Sequence, residues 1–118
     1  VRYRLNGDLM RAAARHLLGA HDMRGFCVRD PHVNDYRTVV TRCEISRIGD
    51  WMEEWVLDIE AVRFFHRMVR IIAGTLVDVG RGFRHPDVVR DILTNGDGSQ
   101  AGPAAPAWGL YLMAVKYD

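Results

Sequence analysis

Apolar positions along this chain follow two periods, and the changes between them mark out its elements. Behind Asn6-Gly7-Asp8, which supplies a turn and an N-cap, Leu9, Ala12, Ala13, His16 and Leu17 recur at helical spacing until Gly19 stops them. Residues 20–36, with Gly25, Pro31, Asn34 and scattered charge, read as a long loop. From Thr38 to Arg47 the pattern alternates, placing Val39, Thr41, Cys43 and Ile45 on one face and Val40, Arg42, Glu44 and Ser46 on the other. Gly49-Asp50 marks a turn, after which Trp55, Leu57, Ile59 and Ala61 alternate with Val56, Asp58 and Glu60, so the two strands are expected to pair as an antiparallel hairpin.

Helical spacing resumes from about Arg63 to Val79 and ends at Gly80, with Gly82 just beyond. Pro86 suits the first turn of a third helix, Asp87 complements its dipole, and Asn95-Gly96 closes it. A Gly- and Pro-bearing loop over residues 95–109 leads to a last strand, Leu110 to Tyr117. The order α-β-β-α-α-β predicts a single α+β domain over residues 1–118, a small antiparallel or mixed sheet with helices on one face. The sheet is expected to continue into sequence outside this chain.

The 63–79 segment carries the most information. At 3.6 residues per turn Arg63, His66, Arg67, Arg70 and Gly74 share one arc, while Phe64, Phe65, Met68, Ile72, Leu76 and Val79 spread over the rest. No carboxylate enters that arc before Asp78. A helix apolar on most sides is expected to be buried, so its basic stripe needs a wet cleft or an anionic partner. The plainer reading is an amphipathic helix with a narrow solvated face.

Composition narrows the classes. At 118 residues the chain can bury a core without staples, and its 48% apolar and 26% charged shares are ordinary for a globular domain. A net charge of +1 excludes gripping nucleic acid by bulk charge, so any such role depends on where the arginines sit. Cys27 and Cys43 form no C-x-x-C pair and no secretory segment precedes them, which points to free thiols in a reducing cytosol. No apolar run approaches the roughly 20 residues of a membrane span. Opening at Val1 without Met is expected of a piece of something longer.

Several segments carry a resemblance: Leu18-Gly19-Ala20-His21-Asp22, Arg37-Thr38-Val39, Asp58-Ile59-Glu60-Ala61, Phe65-His66-Arg67-Met68-Val69-Arg70, Gly74-Thr75-Leu76, Val79-Gly80-Arg81-Gly82 and Ala104 to Leu112. In order and spacing they resemble the C-terminal half of the tRNA pseudouridine synthase A family, from Asp8 onward. The resemblance implies an isomerase that detaches uracil from its ribose, turns the base and rejoins it through carbon, at uridines of the tRNA anticodon arm. It implies no metal or organic cofactor, a cytoplasmic location and a homodimer. The family's catalytic aspartate, in an arginine-threonine-aspartate motif, and its base-stacking tyrosine belong to the N-terminal half. Here Arg37-Thr38 is followed by Val39, so that motif is absent.

Carried over by position, Arg70 matches the arginine that pairs with the catalytic aspartate, and Leu110 matches an apolar wall of the uracil pocket. A guanidinium suits the first role because its planar, permanently charged fork keeps a nearby carboxylate ionised and oriented. Arg63, His66 and Arg67 are expected to face the RNA backbone, Arg67 standing where histidine is common. Trp108 replaces the usual glutamate and either stacks on a base or packs on its own loop. The 30–36 loop is more acidic than its family counterpart, which argues against substrate contact there.

The remaining constellations are weaker. The five histidines lack metal-ligand spacing, His21-Asp22 reads as a capped helix end, and Asp58 and Glu60 as partners in strand-to-strand salt bridges or a solvated face. Cys43 on a buried face is not a reactive thiol. Two functions stay open: half of a tRNA pseudouridine synthase cleft, or a non-catalytic RNA-binding or dimerisation module that kept the fold. A DNA-reading helix is excluded by the apolar character of the striped segment.

Overall fold

A computed structural model describes residues 5–48 and 54–101, together with the backbone of 110–116. Asn6 caps the first helix, α1 (Gly7–Arg15), its side-chain oxygen accepting from the Leu9 N–H at 3.1 Å. The predicted loop then yields a short strand, β1 (Gly19–Asp22), and a single 3-10 turn at Arg24–Phe26. His21 and Asp22, expected at a helix end, therefore lie on a sheet edge. Four residues without an apolar alternation give no strand signal; pairing with a neighbour makes the strand.

Strands β2 (Arg37–Ile48) and β3 (Glu54–Ala61) form the expected antiparallel pair, and the sheet runs β1-β2-β3-β4 with β4 (Leu110–Lys116) parallel to β3. The class is α+β with a mixed sheet. A bulge between Val40 and Arg42 shifts the β2 register. Strict alternation puts Val39 and Thr41 on the buried face; the extra residue instead buries Thr38 and Val40 ahead of it and Cys43 and Ile45 after it. The Asp58 and Glu60 pairings hold: Arg42 on β2 meets both, Glu60 at 3.6 Å, and Glu44 stands 3.9 Å from it.

Two helices cross between β3 and β4, α2 (Met68–Gly80) and α3 (Val88–Asn95), the latter closed by Gly96 in the left-handed region. One core joins Met10, Leu17 and Phe26 to Leu57, Ile59, Met68, Ile72, Leu76 and Ile92, so the inner sheet face and all three helices share it. Most of α2 is buried, as its largely apolar circumference requires, with Arg70 exposed.

Candidate functional site

The basic segment is not one helix. Helical geometry begins at Met68, so Arg63, His66 and Arg67 precede it and the expected common arc dissolves. What holds residues 62–67 is a set of tertiary bonds. The Arg63 N–H donates to Thr38 Oγ1 at 3.0 Å, and the Thr38 hydroxyl donates back to the Arg63 carbonyl at 2.8 Å. The Val62 N–H donates to the Val39 carbonyl, and the Val28 N–H to the His66 carbonyl, each at 3.0 Å. Tyr36 packs its ring against Phe65, centroids 5.1 Å apart.

Residues Phe65, His66, Arg67, Met68, Val69 and Arg70 line an open groove of about 420 Å³. Arg67 is the N-cap of α2 at φ 60°, the only non-glycine among the described residues with positive φ. It offers no side-chain cap, and the first turn of the helix holds no acid. The uncapped positive end of the α2 dipole therefore lies at the groove together with the exposed cations Arg67 and Arg70. Neither arginine forms an ion pair with a described residue, in contrast to Arg37, Arg42, Arg84 and Arg90. Such a groove suits an anionic, extended ligand that brings its own carboxylate or phosphates.

Arg63 stands beside the groove, its guanidinium 4.5 Å from the centroid of Phe65. Close to it Arg37 grips Asp35 through two bonds of 2.9 and 3.1 Å, and this pairing, with help from Arg63, holds the exposed Asp35 carboxyl down at about 2. Leu110 is placed differently. Its backbone pairs with Trp55 at the start of β3, whereas Ala61 at the other end leads into the basic segment, so roughly 20 Å of strand separates the two ends. The Leu110 side chain and Trp108 lie outside the described residues. Among the described residues no group of three His, Cys, Asp or Glu is placed to hold a metal, and no helix is long and apolar enough to cross a membrane.

The tRNA pseudouridine synthase family matches this chain over residues 13–118. The chain belongs to that family. Among its relatives, the tRNA pseudouridine synthase A of Bacillus subtilis is 41% identical over 116 residues, 98% of this chain and 46% of the relative. The Brevibacillus brevis enzyme of the same name is 43% identical over 117 residues, 99% and 47%. That of Caulobacter vibrioides is 44% identical over 113 residues, 96% and 44%. The chain thus spans a little under half the length of the curated relatives it matches. Sequence reasoning reached the groove residues and the family; it missed Thr38, Tyr36 and the ring of Phe65 as the parts that hold the site, because their partners are 25 to 29 residues away in the chain.

Proposed function

We propose that this chain forms one wall of a tRNA pseudouridine synthase active site, acting on uridines of the anticodon arm. The observation that carries the reading is Arg70: an exposed guanidinium in the first turn of α2, without an acidic partner among the described residues, at a groove whose family relatives are named for this reaction. The catalytic aspartate comes from the N-terminal half of the enzyme and attacks the target nucleotide. Arg70 pairs with that aspartate and keeps it ionised. His66 and Arg67 hold the RNA backbone, and Arg63 contacts the RNA beside them. The enzyme works as a homodimer in the cytosol, with Cys27 and Cys43 as free thiols.

The test is Arg70→Lys in the intact enzyme. Lysine keeps the charge and loses the fork, so pseudouridine formation in unmodified tRNA falls by orders of magnitude while tRNA affinity changes little. Arg70→Ala loses more, since a carboxylate left buried without its partner costs about 3–5 kcal/mol. Leu110→Ala costs less than either. Near-normal turnover in Arg70→Lys returns Arg70 to the groove's general basic lining. Retained RNA binding in a protein with no turnover favours the non-catalytic RNA-binding or dimerisation module.

A further inference from the structure

The three side chains Tyr36, Arg63 and Phe65 gather at one rim of the groove in an arrangement that backbone binding does not need. Phe65 meets both the Tyr36 ring, centroids 5.1 Å apart, and the Arg63 guanidinium, 4.5 Å from its centroid. The backbone of Arg63 is fixed at both its N–H and its carbonyl by the Thr38 hydroxyl, so the base of the side chain is held in place. Arg63 itself is exposed, which leaves the guanidinium face opposite Phe65 available to a ligand.

We infer that Arg63, laid on Phe65, is a stacking platform for an unpaired nucleobase of the RNA, and not a phosphate clamp. The platform rests on the RNA reading proposed above and refines it. One observation separates a base from a phosphate here. A guanidinium seated over an aromatic ring offers its other face to a base, whereas a phosphate is bound through the N–H edge. Arg67, with no carboxylate in the first turn of α2, keeps the phosphate role. Phe65 lines the groove as well as the platform, so a strand whose phosphates follow Arg67 can set a base on Arg63 at the rim. Any of the four bases fits, because each has a π-face.

The distinguishing experiment measures affinity of the intact protein for a short single-stranded oligouridylate carrying one 2-aminopurine, over a range of salt. For Arg63→Lys, which keeps the charge without the plane, affinity falls about 5- to 150-fold, the salt slope is unchanged, and the 2-aminopurine loses its stacking quench. Phe65→Leu gives the same signature more weakly, and circular dichroism confirms that both variants are folded. If Arg63→Lys instead binds as the parent does and Arg63→Ala lowers the salt slope by about one, Arg63 is a phosphate contact and the platform is wrong while the RNA reading stands. If the parent protein binds neither the oligonucleotide nor tRNA, and Arg67→Ala changes nothing, both fall together.

Discussion

Arg67 shows how much a single backbone conformation decides at this site. Its left-handed φ of 60° costs a non-glycine residue roughly 1–2 kcal/mol, and it turns the chain from the pinned segment 62–66 into α2. Arg67→Gly relieves that strain, so thermal unfolding should show a gain of about 1 kcal/mol, while RNA affinity drops and the salt slope falls by about one. Equal stability of the two proteins would remove strain from the account. At the thiols, burial pushes Cys43 up to about 12, and burial also raises Cys27, which is less deeply placed. Iodoacetamide at pH 8 is expected to label Cys27 first and Cys43 only after denaturation, read by peptide mass. The sign of the pH effect follows: the unfolded Cys43 thiol ionises near its ordinary 9.0 while the folded one keeps its proton, so stability falls as pH rises from 9 toward 12. A Cys43→Ala protein should lose that alkaline slope.

At the scale of elements, what was legible followed local chemistry. The Asn6 cap, the Gly96 stop, the β2–β3 hairpin and the existence of α2 and α3 all depend on neighbours a few residues away, and each was readable. The start of α2 was not. Residues 63–67 have a helix-like period, yet Arg63, Phe65 and His66 are committed to Thr38, Tyr36 and Val28, and those bonds hold the segment out of the helix. Thr38→Val tests this, since it removes both hydroxyl bonds with little change of shape. A loss of about 1–3 kcal/mol is expected, with faster hydrogen exchange at the Arg63 amide and no change at Ile72 or Leu76. Unaltered exchange at Arg63 would mean that the segment is held without Thr38.

For the whole molecule, the proposed chemistry asks for a nucleophile that the described residues do not offer beside Arg70. The chain contributes a groove with cations and an uncapped helix start, but no aspartate among the described residues pairs with Arg70, and Arg37-Thr38 continues into Val39. This 118-residue chain, incubated with unmodified tRNA, should therefore yield no pseudouridine by nucleoside analysis, because a guanidinium orients a nucleophile and does not replace one. Clear turnover would place the nucleophile inside the chain. The sequence by itself determined the α+β class, the two main strands, the two later helices, the family and the identity of the groove arginines, since periodicity, caps and contiguous motifs are properties of neighbouring residues. Tertiary structure alone decided the β1 edge, the bulge that exchanges the faces of β2, the late start of α2, and the seating of Arg63 on Phe65. Each of those depends on partners distant in the chain, whose pairing outweighs the weak local preference of a few residues.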